Sequence, residues 1–195
     1  MLLKSNLDNL NKLVKKENVL TSLEERYCYA QDSTNSRLEH QLPDAVVFVE
    51  TIEEVQKVLR YANEHKIPII CRGAGTNMVG ACVCHFGGIV LNFSRMNKIL
   101  DFNPTNMTMR VQPGVVLDEI KKLAATENLF YPPDPSNFRV STIGGSIAQS
   151  SGGAKSFKYG TTKDYILNLK VVLADGTKCR RAFLRRVDKN TAEIK

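Results

Sequence analysis

The stretch Arg72-Gly73-Ala74-Gly75-Thr76-Asn77-Met78-Val79-Gly80-Ala81 is glycine-rich and hydroxyl- and amide-bearing, and a distant stretch, Ser141-Thr142-Ile143-Gly144-Gly145-Ser146-Ile147-Ala148-Gln149-Ser150-Ser151-Gly152-Gly153, has the same character. Glycine lets a backbone take positive φ and approach a ligand closely, and bare amides and small hydroxyls are donors for phosphate oxygens. Both stretches therefore read as cradles for a large phosphorylated cofactor. The first fails the dinucleotide fingerprint, because no third glycine follows at the required spacing and no long amphipathic helix opens behind it. It also fails the P-loop pattern: Gly75 and Gly80 are spaced correctly, but Ala81-Cys82 stands where Lys and then Ser or Thr are needed.

Around the first cradle the pattern is that of an open α/β unit. Ala45-Val46-Val47-Phe48-Val49 is a continuous apolar run of the buried-strand type. Thr51-Ile52-Glu53-Glu54 is a capping box, so a helix starts there, with Ile52, Val55, Val58/Leu59 and Ala62 on one face. His65-Lys66 and Pro68 end it, and Ile69-Ile70-Cys71 is the next strand. The cradle thus leaves a strand at its C-terminal end, where open α/β sheets place ligands. Strands are expected at 89–93, 99–102 and 107–111, and a helix at 116–126 after the turn Gln112-Pro113-Gly114. Phe130-Tyr131-Pro132-Pro133-Asp134-Pro135-Ser136 is a rigid loop, since its prolines remove donors and stiffen φ. A strand over 166–173 turns back at Ala174-Asp175-Gly176-Thr177. Upstream, Leu7, Leu10 and Leu13/Val14 mark an amphipathic helix, while 21–42, with Tyr27, Tyr29, Asp32 and Ser33, reads as a linker.

The formal charge of +7 over 195 residues suggests nucleic acid until it is located. Residues 178–195 hold seven Lys/Arg against two acids, leaving +2 for residues 1–177, so the basicity belongs to a tail and no nucleic-acid partner is expected. The five cysteines are odd in number and lack paired CxxC spacing, which favours a reducing compartment, with cytoplasm as the expectation. Cys82-Val83-Cys84 has no second ligand pair, so no metal is expected. His40, His65 and His85 read as solvated or packed rings. No transmembrane segment or signal peptide is expected, so membrane contact would be peripheral, through partners.

Six ordered motifs, "PIICRGAGTNMVGA", "GGIVLNFSRMNKIL", "VQPGVVLDEIKKLA", "LFYPPDPSN", "STIGGSIAQSSGG" and "KYGTTKDYILNLKVVLADGT", resemble the FAD-binding (PCMH-type) domain of the vanillyl-alcohol-oxidase flavoproteins. The likeness is to the branch that holds glycolate oxidase, through its D-type chain, and D-lactate dehydrogenase, and it runs from about Leu42 to Thr177. It implies an α+β (α/β-like) domain of two lobes, about 43–130 and 131–178, with FAD between them, preceded by a helix and linker (1–42) and followed by a divergent basic tail (179–195). The residues it places near the cofactor are Arg72, Gly73, Ala74, Gly75, Thr76, Asn77 and Gly80 in the first cradle, and Pro132, Asp134, Pro135 and Ser136 in the rigid loop. Thr142, Ile143, Gly144, Gly145, Ser146, Ala148, Gly152 and Gly153 follow in the second cradle, with Tyr159, Gly160 and Asp164 beyond it.

The implied activity is oxidation of a 2-hydroxy acid by hydride transfer to flavin, with other oxidase subunits or an electron acceptor as partners. Some relatives tether FAD through a His in the first loop or a Cys near the second. Here Thr76 and Arg139-Val140-Ser141 occupy those places, so FAD is expected to be non-covalent. Other departures are Ser146 where Asn is usual and Gln149-Ser150-Ser151 where Glu-Asn-Ala is usual. The relatives' later glycine-rich segment and cap domain, which carries the substrate-side His and carboxylates, have no counterpart between Cys179 and Lys195. The sequence therefore resembles the N-terminal part of such an enzyme, inactive by itself and with no catalytic base to name. An FAD-binding module or a non-catalytic partner subunit is the alternative.

Overall fold

The structure, a computed structural model, describes residues 4–34 and 41–182. His40 and the tail beyond Ala182 lie outside them. The expected N-terminal helix is α1 (Lys4–Leu13), which sends Leu10 fully into the core, with Leu7 and Leu13 beside it. A short 3-10 turn leads to β1 (Val19–Leu20) and then to α2 (Leu23–Tyr27), begun by reciprocal bonds between Ser22 and Glu25. The stretch 21–42, expected as a linker, thus holds a helix near its start. A five-residue helix is too short to show a period, and its only local sign is the Ser22 to Glu25 capping spacing.

β2 (Ala45–Phe48) is buried along its whole length, and α3 (Ile52–Glu64) follows from the expected Thr51/Glu54 capping box. Next come β3 (Ile69–Arg72) and β4 (Ile89–Asn92). The sheet order is β1-β2-β4-β3, parallel except for β1. The strands' two-residue period divides their side chains. Val47, Ile89 and Leu91 meet α1 and the α3 residues Val55 and Val58, while Val46, Phe48 and Val90 meet Leu20, Tyr29 and Cys84 on the other face. Each fully buried Val, Leu or Ile contributes about 1.5–3 kcal/mol of transfer free energy, so both faces of β2 and β4 must stay covered.

The antiparallel hairpin β5 (Ile99–Asn103) and β6 (Thr108–Val111) leads to α4 (Leu117–Thr126). Short helices α5 (Ile143–Ala148) and α6 (Ser156–Tyr159) precede the hairpin β7 (Asn168–Val172) and β8 (Lys178–Ala182). β8 carries regular pairing beyond Lys178, into the first residues of the basic stretch. A third core cluster joins Val115, Leu117 and Ile120 to Ile143, with Met109, Tyr131 and Phe138 packed against it. Through this cluster, the second glycine segment hangs on α4 and the β5–β6 hairpin. The last hairpin is tied back to α3, where Gln56 Nε2 donates to the Gly176 carbonyl at 2.8 Å. Among the described residues no helix is long and apolar enough to cross a membrane.

Candidate functional site

The first glycine segment leaves the C-terminal end of β3 and folds over its own preceding residue. Gly75 has φ +70°, and a Cβ there would lie 2.2 Å from the Arg72 guanidinium. Only glycine tolerates both the conformation and the contact. Arg72 itself is buried, donating from Nη1 to the Gln31 carbonyl at 2.7 Å with its guanidinium 5.6 Å from the Tyr29 ring centre. Its side chain therefore supports the loop from behind and does not line the cleft in front of it.

Donors in the second half of this loop are committed to the protein. Asn77 Oδ1 accepts from the amides of Val79 (3.1 Å) and Ala81 (3.0 Å). The Gly80 amide donates to Thr34 Oγ1 at 2.7 Å and the Cys82 amide to Asp32 Oδ2 at 3.2 Å. Burial opposes the Asp32 carboxylate, but the hydrogen bonds from the Thr34 hydroxyl and amide, the Cys82 amide and Asn77 outweigh it and hold its carboxyl below the ordinary value. The engaged amides, those of Val79 to Cys82, lie beyond residues 72–77, and among the expected cofactor residues of this loop Gly80 has its amide committed to Thr34. Asp32, Ser33 and Thr34 were legible only as a linker, yet the Ser33 amide donates to the carbonyls of Gly75 (3.2 Å) and Asn77 (3.1 Å).

The second segment is held by backbone. Ser141 O accepts from the Leu117 amide at 3.0 Å, and the amides of Ile143 and Gly144 donate to Val115 O and Pro113 O, each at 2.8 Å. Residues 143–148, expected as open cradle, are instead the helix α5. Helical spacing then sorts them: Thr142, Gly145, Ser146 and Gln149 share one face and line the cleft, Ile143 enters the core, and Gly144 packs against Pro113.

The two segments meet closely. A Cβ on Gly73 would fall 2.2 Å from Thr142 Oγ1. Asn137 Nδ2 donates to the Thr76 carbonyl at 3.1 Å, and the Thr76 and Ser141 hydroxyls are 3.1 Å apart. Between them lies a cleft of about 510 Å³, within the usual range of ligand pockets of about 300–1,000 Å³. Gly73, Ala74, Gly75, Thr76, Asn77, Thr142, Gly145, Ser146 and Ala148 line it, together with Ser141, Gln149 and Ser151 of the second cradle and Asn137, which lies outside both cradles. Among the described residues no charged side chain does so. Burial pushes the Cys82 thiol at its wall upward, so it stays protonated at neutral pH. The cleft offers neutral donors, small side chains and backbone beside the apolar side chains of Ile69, Ile70, Met78 and Val79.

The remaining expected residues sit outside this cleft. Pro132 is buried and Ser136 exposed. Asp134 is paired with Lys121 and, at 3.1 Å, with Lys155, and those hydrogen bonds, that of Lys121 foremost, hold its carboxyl below the ordinary value. Gly153 abuts the Asp134 carbonyl, and a Cβ there would come within 1.9 Å of it, so the rigid loop and the end of the second segment are in contact at Asp134–Pro135. Asp164 Oδ2 accepts from the Thr161 amide at 2.8 Å, Gly160 packs on the Asp164 carboxylate, and the Tyr159 carbonyl accepts from the Tyr165 hydroxyl at 2.6 Å. His65 caps α3 and stacks on Tyr61, and His85 lies beside Phe86; neither lines the cleft.

A parallel-stranded unit that delivers one glycine loop against a second, independently anchored glycine segment, with neutral donors facing a cleft, defines a domain for holding a phosphorylated cofactor. The chain belongs to the FAD binding domain family, whose model matches residues 43–180, and FAD is the cofactor of that family. It is 43% identical over 151 residues to the "Glycolate oxidase subunit GlcD" of Bacillus subtilis (strain 168), covering 77% of this chain and 32% of that protein. A D-lactate dehydrogenase of Anaerostipes hadrus is 39% identical over 134 residues, or 69% of this chain and 28% of that one. Among solved structures, p-cresol methylhydroxylase with substrate bound superposes with a TM-score of 0.79 at 26% identity, over 90% of this chain and 34% of that chain. The chain thus spans about a third of the length of the curated relatives it matches.

Proposed function

We propose that this chain holds FAD non-covalently between its two glycine segments, as the cofactor-holding part of an oxidoreductase acting on a small 2-hydroxy acid. The observation that carries the reading is the meeting of the segments across a cleft without a charged side chain. Such a site suits a diphosphate held by backbone amides and neutral hydroxyls, as anion cradles do. The loop of Gly73 to Asn77 and the α5 face of Thr142, Gly145 and Ser146 would take the diphosphate and ribityl portion. The neighbouring group around Asp134, Pro135, Gly153, Tyr159 and Asp164 would lie toward the flavin ring, with FAD bridging lobes of about 43–130 and 131–178.

Bound FAD supplies the acceptor for a hydride from the substrate's α-carbon. The class of substrate is supported by the relatives, one a glycolate oxidase subunit and one a D-lactate dehydrogenase. Thr76 stands where some relatives carry a tethering His and Arg139-Val140-Ser141 where some carry a tethering Cys, and the Thr76 and Ser141 hydroxyls lie 3.1 Å apart. This supports a non-covalent cofactor. The protein's partners would be other oxidase subunits or an electron acceptor, in the cytoplasm.

A second reading, an FAD-holding module or subunit without chemistry of its own, is favoured by one observation: among the described residues no carboxylate, imidazole or amine lines the cleft to take the substrate's hydroxyl proton. General-base catalysis is worth about 10²- to 10⁴-fold. The 195-residue chain should therefore retain yellow FAD through gel filtration, yet fail to bleach it within seconds when mixed anaerobically with glycolate or D-lactate. Protein that emerges colourless after FAD loading would sink the cofactor assignment. Rapid bleaching would mean that the chain carries its own base.

A further inference from the structure

The side chains of Thr76, Asn137 and Ser141 form one connected set of hydrogen bonds. Ser141 Oγ has two acceptors on Asn137, Oδ1 at 2.6 Å and the backbone carbonyl at 3.0 Å, so the serine proton goes to Asn137, with Oδ1 the shorter contact. Ser141 Oγ can then only accept from the Thr76 hydroxyl, 3.1 Å away. Asn137 completes the circuit, donating from Nδ2 to the Thr76 carbonyl at 3.1 Å. Turning the amide over would face Oδ1 toward that carbonyl, oxygen against oxygen, so the orientation is fixed. The result is a closed ring of three hydrogen bonds that begins and ends on Thr76 and crosses from the first glycine segment to the second. Such rings polarise their members cooperatively.

From this geometry we infer that Asn137 is a positioning residue for the cofactor: it clamps the Thr76 peptide against the second segment, so that the amides of residues 73–77 are held at a fixed distance from the α5 face. The inference rests on the reading that FAD occupies this cleft. Asparagine suits the position because one side chain must donate to a carbonyl and accept from a hydroxyl at once. The backbone around it is anchored separately, its carbonyl accepting from the amides of Val140 (3.0 Å) and Ser141 (2.9 Å), so truncating the side chain leaves the turn in place. The ring's own hydroxyls are engaged with each other, and it acts by holding the backbone donors of the first loop.

The test is the rate of FAD release from loaded protein after dilution, followed by flavin fluorescence, for the wild type, Asn137→Ala, Ser141→Ala and the double variant, with the melting temperature of each apoprotein. Asn137→Ala should release FAD about tenfold faster, as expected for the loss of two neutral hydrogen bonds, with little change in apoprotein melting. The double variant should release no faster than Asn137→Ala, because residues acting as one unit are not additive. Wild-type release from Asn137→Ala, multiplicative effects in the double variant, or a drop in apoprotein melting that accounts for the faster release would each overturn the clamp. Wild-type protein that holds no FAD would instead overturn the proposed function. Should Asn137→Ala fail to fold, Asn137→Asp carries the test. Its carboxylate cannot donate to Thr76 until protonated, so release should slow as pH falls through the carboxylate range, and pH-independent release would sink the inference.

Discussion

The two glycine segments face the same cleft but are held in place by opposite means. The first is a loop whose shape depends on side chains: Arg72 beneath Gly75, Asn77 folded onto the amides of Val79 and Ala81, and Asp32 and Thr34 behind Gly80 and Cys82. The second is a strand bridge and a short helix fastened by backbone bonds to residues 113–117. A segment held by backbone pairing tolerates substitution of its neighbours, because the pairing does not depend on their side chains. A segment held by half-buried side-chain acceptors does not, since losing one strands several amides. Damage to the first loop's support should therefore loosen the cofactor more than damage around the second.

The contact between the segments is where the largest effect is expected. Gly73→Val would drive a branched side chain into Thr142, 2.2 Å from the position its Cβ would take, and wedge the cleft open. Overpacking of this kind costs about 1–3 kcal/mol or more, here directed at the site itself. Gel filtration of FAD-loaded Gly73→Val should yield folded but colourless protein; a variant as yellow as wild type would show that the close approach is dispensable.

A smaller effect is expected behind the first loop. Asp32→Ala removes the acceptor for the Thr34 amide, at 2.9 Å, and for the Cys82 amide, at 3.2 Å. Stranding the donor of buried Cys82 costs about 1–3 kcal/mol and that of half-buried Thr34 less, so FAD affinity should fall roughly tenfold by titration. The pH dependence has a definite sign. The Asp32 carboxyl is held below the ordinary aspartate value of 3.8, so its stabilisation is present above that pH and is lost as pH falls through the lower folded value. Melting temperature measured down the acid limb should fall less steeply for Asp32→Ala than for wild type, and parallel curves would show that the carboxylate contributes nothing to the loop.

The second segment should give the smallest change. Asp134 holds Lys121 on α4 and Lys155 beyond Gly153, but the Lys155 side chain is 43% exposed, and surface ion pairs are worth about 0–1 kcal/mol. Lys155→Ala should weaken FAD binding by less than about fivefold, with the difference shrinking further at high salt. A loss as large as that of Asp32→Ala would erase the contrast between the two segments.

Much of this protein follows from short stretches of chain. The buried run of β2, the Thr51/Glu54 capping box of α3, the strand before the first loop and the turn at 174–177 are each set by neighbouring residues, through periodicity, capping or turn chemistry. The ordered motifs carried the family as well. Tertiary packing was needed to make 143–148 a helix, where paired glycines disfavour one and burial of Ile143 in the third core cluster overrides them. Packing also settles which amides of the first loop remain for a ligand, and which residues stand behind it. Arg72 reaches Gln31 across 41 positions, Cys82 reaches Asp32 across 50, and Asn137 reaches Thr76 across 61. Local pattern is silent on such contacts, because their partners become neighbours only after the sheet and the third core cluster have brought distant segments to one place.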